Sequence, residues 1–201
     1  KPISNVLEGP SQFPKIATDA AGQRHVVWVE NSYAARGVPD AVYYSRYDGT
    51  DWSAPVDILV APDQGSISMG ELVVLPNGDL SLLWIGADAL QLSTAHPKYA
   101  DIPNGWRTTT LLPGVAAIRA FMLVLPDGRL ALTFVEQPSY SVMFVQSPDL
   151  GSTWSEPVSV WEPGTDELAA DDVRLCSNPD GTQLHLVWHV NAAQVNWNPY
   201  A

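Results

Sequence analysis

The sequence predicts an all-β protein, a β-propeller made of four-stranded antiparallel blades, about four of them in 201 residues. Three observations support this prediction. Glycine turns recur at Gly22, Gly78, Gly128 and Gly181, at steps of 56, 50 and 53 residues. An apolar strand carrying an aromatic residue follows each turn, and a Trp closes a hairpin later in the repeat. A meander of about fifty residues has the size of a propeller blade.

The strands of each repeat follow the same order. Asn-Gly and Asp-Gly adopt positive φ at low cost, as twist-matched hairpin turns require, so each glycine turn joins a first strand to a second. The predicted second strands are 25–29, 80–85, 130–135 and 184–189. The third strands are 41–45, 89–93, 140–145 and 193–197, and the fourth are 52–58, 106–111 and 154–160. The second strands are apolar enough for burial on both faces, with Trp28, Trp84 and Trp188 between blades.

We expect one domain over residues 1–201. Its units lie at approximately 10–61, 66–113, 114–163 and 168–201 plus 1–9. The last unit lacks a fourth strand, and the N-terminal residues resemble one, so the last blade is completed by that strand or by another chain. The expected state is a monomer or a strand-exchanged homodimer. The alternative is a fragment of a larger propeller, and a start at Lys1 rather than Met favours a mature or excised product, with secretion left open.

Composition excludes some partners. A net charge of −12 repels phosphate backbones, so nucleic acid is not expected. No apolar run approaches the roughly 18 residues of a membrane span. The only cysteine, Cys176, is predicted to be a small core residue, the four histidines are interpreted as structural, and no metal or other cofactor is expected.

The most specific motif is the segment Ser147–Trp154, which has the form Ser-x-Asp-x-Gly-x-Thr-Trp. Its motif residues are Ser147, Asp149, Gly151, Thr153 and Trp154. A looser copy contains Ser45, Asp48, Gly49 and Trp52, with the Asp one residue nearer the Trp. These residues resemble the bacterial neuraminidase repeats, or Asp-boxes, of sialidase-type β-propellers. The resemblance implies structural turns that lie away from any active site.

A sialidase-type enzyme would need three arginines for the substrate carboxylate, an acid/base and a Tyr-Glu nucleophile pair. Where the resemblance implies an Arg-Ile-Pro stretch, this chain has Phe13-Pro-Lys-Ile16. The remaining catalytic candidates are Arg119, Arg174 and Asp172, the last in an acidic cluster that could also be a solvated loop. We therefore expect a protein without catalytic activity.

The aromatic residues that break the repeat are better candidates for ligand contact. They are Trp161, Trp197 and Tyr33, to which Arg36 is added from the loop 31–40. The loop 87–89 is a further candidate surface. The predicted function is a non-catalytic binding module for a glycan or protein. The alternatives are an exo-sialidase-type glycoside hydrolase, or part of one, and a purely structural repeat scaffold.

Overall fold

The structure, a computed structural model, describes Ile3 and residues 10–30, 40–61, 66–102, 104–164 and 169–191. These residues form fourteen β-strands and one 3-10 turn at Pro97–Tyr99, with no α-helix among them. All strand pairs in the described part of the chain run antiparallel, as the short hairpin turns predict. The chain divides into two compact units, Lys1–Leu111 and Leu112–Ala201.

The first unit contains two four-stranded meanders, each a blade. The first blade consists of β1 (Ser11–Thr18), β2 (Arg24–Glu30), β3 (Ala41–Tyr47) and β4 (Val56–Val60). The second consists of β5 (Ile67–Val74), β6 (Leu80–Gly86), β7 (Ala89–Ala95) and β8 (Arg107–Thr110). The predicted four-stranded antiparallel blades are thus confirmed.

The second unit contains one complete meander and a two-stranded sheet. The meander consists of β9 (Ala116–Val124), β10 (Leu130–Gln137), β11 (Val142–Ser147) and β12 (Val158–Trp161). The sheet pairs β13 (Ala169–Ser177) with β14 (Leu184–Asn191). The strand predicted at 193–197 lies outside the described residues, as does the N-terminal completing strand apart from Ile3.

The glycine turns differ in detail from the sequence expectation. Positive φ occurs at Gly78 (87°) and Gly128 (88°) but not at the preceding Asn77 and Asp127. The N–H of Gly78 donates to Leu75 O at 2.8 Å, which makes a three-residue loop with a left-handed glycine. The last turn is one residue longer, since the N–H of Asn178 donates to Gln183 O, and this explains the later position of the aromatic in that repeat.

Apolar second strands form the core between the first two blades. Val27 and Tyr44 of the first blade pack with Leu80, Leu82 and Trp84 of the second, all of them buried. Trp28 is 3% exposed and packs on the opposite face of its blade. Burial of these side chains on both faces is the main stabilising contribution that the sequence pattern predicts.

The hairpin at 147–155, named here the long clasp, is closed by its own side chains. The carboxylate of Asp149 accepts hydrogen bonds from Ser147 Oγ at 2.9 Å, Thr153 N at 2.8 Å and Thr153 Oγ1 at 2.7 Å. Ser147 Oγ also accepts from Gly151 N at 2.8 Å. Trp154 Nε1 donates to Gly151 O at 3.1 Å, so the indole folds back onto the turn.

The hairpin at 45–53, the short clasp, uses the same residue types in a different network. Asp48 accepts from Thr50 N at 2.8 Å, Thr50 Oγ1 at 2.6 Å and Asp51 N at 3.0 Å. Ser45 Oγ does not join that network and donates to Ser53 O at 2.9 Å. Both clasps therefore satisfy loop backbone groups with an acidic side chain, as an Asx turn does.

The fourth strands begin later than the sequence predicts. β4 starts at Val56 and β12 near Val158, after Pro55 and Pro157 rather than at the preceding Trp. Proline has no N–H to donate to the ladder, so pairing begins beyond it.

Candidate functional site

The first strands of the meander and of the two-stranded sheet in the second unit bring together the charged residues that the sequence singles out. Arg119 lies on β9 and Asp171 on the neighbouring β13, with Arg119 Nη2 and Asp171 Oδ1 3.1 Å apart. Their side chains are 46% and 26% exposed. A partly exposed ion pair of this kind adds little to the free energy of unfolding. Its interest lies in the charged groups that it places on the surface of the second unit.

A second pair lies beside the first. Arg174 contacts Asp172, and its guanidinium carbon lies 5.6 Å from the centroid of the Phe121 ring. Arg174 Nη1 also donates to Val173 O at 2.8 Å. We call the surface formed by the five residues Arg119, Phe121, Asp171, Asp172 and Arg174 the β9–β13 surface.

A β-bulge explains how two successive aspartates reach this surface. Ala170 pairs with Val190 and Val173 with Trp188, so Asp171 and Asp172 together oppose His189 alone. A bulge bends the strand and re-aims side chains that would otherwise alternate. The first strands of the three meanders, β1, β5 and β9, also have a register shift within their ladders. The sequence analysis missed these bulges.

The predicted candidates fall into three groups. Arg119, Arg174 and Asp172 lie together on the β9–β13 surface. Trp161 packs its ring 6.0 Å from that of Trp188, against the buried cluster containing Val142. Trp197, Tyr33 and Arg36 lie outside the described residues. A catalytic role for the first three residues and ligand contact by the other four stay predictions.

Two loop and core expectations change. Residues 87 and 88 form a tight two-residue turn, with φ of 51° at Ala87 and 58° at Asp88, rather than an open loop. Cys176, predicted to be a core residue, is exposed, because the side chains of β13 alternate and Leu175 takes the buried side.

The first unit contains a buried carboxylate that the sequence analysis missed. Glu30 is fully buried at the end of β2 and accepts hydrogen bonds from Trp28 Nε1 at 2.6 Å and Ser11 Oγ at 2.9 Å. Ser11 and Trp28 also line a pocket of about 320 Å³. An acidic residue that ends an otherwise apolar strand was the available signal, since buried charges are rare unless partnered.

Another titratable cluster in this unit is structural. His25 is fully buried, with Nδ1 2.8 Å from Tyr44 Oη and Nε2 3.3 Å from Asp19 Oδ2. Burial lowers the pKa of His25, opposed by the hydrogen bond and charge of Asp19. Burial likewise raises the pKa of Tyr44 above its usual value. A fully buried His–Tyr pair has no access to a ligand, which agrees with the structural interpretation of His25.

Metal and membrane features can be tested on the described residues alone. Within them, no group of three or more His, Cys, Asp or Glu side chains converges as a metal site. No helix in the same part of the chain is long and apolar enough to cross a bilayer.

Similar solved structures identify the fold. A protein of unknown function from Dyadobacter fermentans DSM 18053 aligns with a TM-score of 0.65 at 13% identity, over 92% of this chain and 58% of that one. The α-L-arabinanase of Penicillium chrysogenum, complexed with arabinobiose, aligns with a TM-score of 0.61 at 14% identity, over 92% and 63%. The Hadza microbial sialidase Hz136 aligns with a TM-score of 0.56 at 18% identity, over 94% and 45%.

These likenesses, with the four-stranded antiparallel blades, show a β-propeller of the kind found in sialidases and other glycoside hydrolases. The chain spans 45% to 63% of the length of the three structures. No protein-family model matches the sequence, and no curated protein matches it. Because one fold serves many functions, the function of this chain depends on the residues of its site.

Proposed function

We propose that this chain is a carbohydrate-binding propeller without hydrolytic activity, and that the β9–β13 surface binds a neutral glycan. One observation supports this most directly: each arginine of that surface contacts an aspartate of the same surface. The four charges balance, so the surface offers donors and acceptors rather than net positive charge.

A sugar hydroxyl both donates and accepts hydrogen bonds, and it suits a surface where guanidinium and carboxylate groups alternate. The guanidinium of Arg174 stacked near Phe121 adds a planar face beside these polar groups. The arabinobiose complex of the similar arabinanase makes a neutral saccharide a reasonable ligand class.

We infer the absence of hydrolytic activity from the exposure and the arginine contacts of Asp171 and Asp172. Glycoside cleavage uses two carboxyl groups, one of which donates a proton. An apolar pocket raises the pKa of that acid, which keeps it protonated. Asp171 and Asp172 instead contact arginines, and their side chains are 26% and 50% exposed. A sialidase-type hydrolase remains the second candidate, because a sialidase is among the similar structures.

The test combines a glycan array with turnover assays on fluorogenic sialosides and arabinosides. We expect binding of neutral oligosaccharides, and no turnover above that of buffer. Arg119→Ala should weaken binding at least tenfold, since a hydrogen bond to a charged group contributes about 1.5–3 kcal/mol.

Arg129→Ala is the matched control, because Arg129 lies in the same unit, is 40% exposed and pairs with Asp127 at 2.6 Å. It should leave binding unchanged. Turnover that Arg119→Ala abolishes would overturn the non-catalytic assignment. Failure to bind any glycan would favour the protein-binding or scaffold alternatives.

A further inference from the structure

The connection between β7 and β8, described at residues 96–102 and 104–106, lines a pocket together with Asp79 and Arg107. Its volume is about 460 Å³, within the range of about 300–1,000 Å³ typical of small-molecule sites. Its lining residues include Asp79, Tyr99, Ile102, Asn104 and Arg107. We call it the β7–β8 pocket.

The backbone of the connection is held in place around this pocket. Trp106 Nε1 donates to the carbonyl of the fully buried Ala100 at 3.0 Å. Arg46 of β3 pairs with Asp101 at 3.2 Å. A Cβ on Gly105 would lie 1.8 Å from the carbonyl oxygen of Tyr99, so only glycine fits there. A wall fixed before a ligand arrives lowers the entropy cost of binding.

The side chains that line the pocket form an apolar patch and a polar border. Tyr99 is 47% exposed and Ile102 46% exposed, and both line the pocket, so they present apolar surface to it. The polar residues that line the same pocket are Asp79, Asn104 and Arg107. The pocket therefore presents an apolar patch bordered by both donors and acceptors.

We propose that the β7–β8 pocket is a second saccharide site, separate in its residues from the β9–β13 surface. A sugar ring has an apolar face for Tyr99 and Ile102 and hydroxyls for the polar border. The lining contains one carboxylate, Asp79, and one guanidinium, Arg107, and Lys98 Nζ lies 5.4 Å from the centroid of the Tyr99 ring. The net charge of −12 over the whole chain disfavours an acidic ligand. The inference rests on the proposed function for its ligand class, although not for its residues.

The experiment titrates the complete chain with arabinobiose, lactose and 3′-sialyllactose, followed by NMR of amide and indole N–H groups. The indole resonance of Trp106, assigned from a Trp106→Phe variant, reports on the pocket wall. We expect the neutral disaccharides to shift this resonance with saturation, and 3′-sialyllactose to bind more weakly.

Two variants test the residues of the pocket. Tyr99→Ala and Arg107→Ala should each raise the Kd obtained from the Trp106 indole shift by about fivefold to tenfold. Arg24→Ala is the control, because Arg24 is another cation of the same unit and lies 5.3 Å over the Tyr47 ring. A Tyr99→Phe variant keeps the aromatic face, and it should retain binding even if Tyr99→Ala perturbs folding.

The outcomes separate this inference from the proposed function. Shifts at Trp106 that persist in Arg119→Ala support the second site, including when the β9–β13 surface shows no response. Shifts confined to the β9–β13 surface would overturn the second site alone. The second site would also be overturned if Arg107→Ala bound like the parent chain and the loss of binding in Tyr99→Ala came with a lower melting temperature. Tyr99→Phe is expected to bind like the parent chain in either case.

Discussion

The long and short clasps have eight-residue motifs of equal length, yet their hydrogen-bond networks differ. In the long clasp the hydroxyl of Ser147 and the carboxylate of Asp149 contact each other at 2.9 Å and together bind the loop. In the short clasp Asp48 stands one residue nearer the Trp, and Ser45 donates to Ser53 O instead. The Ser–Asp contact of the long clasp thus has no equivalent in the short clasp, where the aspartate lies three residues after the serine rather than two.

The outer part of both clasps is nevertheless the same. Ser155 donates its N–H to Gln146 O at 2.9 Å, and Gln146 N donates to Ser155 Oγ at 3.1 Å. Ser53 and Arg46 make the same two bonds at 2.8 and 3.0 Å. The serine after each Trp therefore fixes the hairpin stem independently of the loop network.

The largest expected difference concerns the first serine of each clasp. Ser147→Ala removes the donor to Asp149 and leaves Gly151 N without its 2.8 Å acceptor, so we expect a loss of about 2 kcal/mol in the free energy of unfolding. Ser45→Ala removes the donor to Ser53 O and should cost about 1 kcal/mol. Urea denaturation followed by circular dichroism measures both.

Ser81→Ala provides the control for these serine variants. Ser81 is also fully buried, and within the described residues its Oγ has no hydrogen-bond partner. Its replacement should therefore be neutral or slightly stabilising. Equal losses for Ser147→Ala and Ser81→Ala would contradict the network interpretation of the long clasp.

The clasps illustrate what the sequence can predict. The glycine turns, the second strands and both hairpins depend on chemistry within about ten residues, so Gly78, Gly128 and the motif at Ser147–Trp154 were sufficient signals. The residue order even reveals that the short clasp is a looser copy. Side-chain hydrogen bonds of this local kind need no information from distant strands.

The candidate sites were harder to predict because they depend on distant contacts. The bulge that places Asp171 beside Arg119 is a property of strand pairing, and alternation alone gives the wrong face. In the β7–β8 connection, Asp101 accepts a hydrogen bond from Arg46, which lies 55 residues earlier in the chain. The sequence predicted Arg119, Arg174 and Asp172 as candidates and placed Asp171 in the same acidic cluster. The contacts of Arg119 with Asp171 and of Arg174 with Phe121 follow only from the packing of β13 on β9.

A smaller effect separates the acid titrations of the two clasps. Hydrogen bonds from Thr50 Oγ1, then Asp51 N and Thr50 N, lower the pKa of Asp48 to about 2. The pKa of Asp149 is also lowered, first by Thr153 Oγ1 and further by Thr153 N and Ser147 Oγ. Ser147→Ala should raise the pKa of Asp149, whereas Ser45→Ala should leave that of Asp48 unchanged, because Ser45 does not contact it.

Carboxyl ¹³C shifts recorded against pH test this comparison. Since both folded pKa values are depressed, the carboxylates add stability above the unfolded value of about 3.9. That stability is lost as pH falls through the folded pKa, down to about 2 for Asp48. The comparison would be contradicted if Ser45→Ala changed the pKa of Asp48 by as much as Ser147→Ala changed that of Asp149.

The smallest expected effect concerns backbone strain. The long clasp holds Leu150 at a φ of 59° beside Gly151, whereas the short clasp uses positive φ at Gly49. Left-handed backbone costs a branched residue about 1–2 kcal/mol, and asparagine tolerates it better. Leu150→Asn should therefore stabilise the chain by about 0.5 kcal/mol after the loss of some apolar contact. Val158→Asn, at a 59%-exposed strand position, should be slightly destabilising. Urea midpoints that fall equally in both variants would show that Leu150 carries no strain.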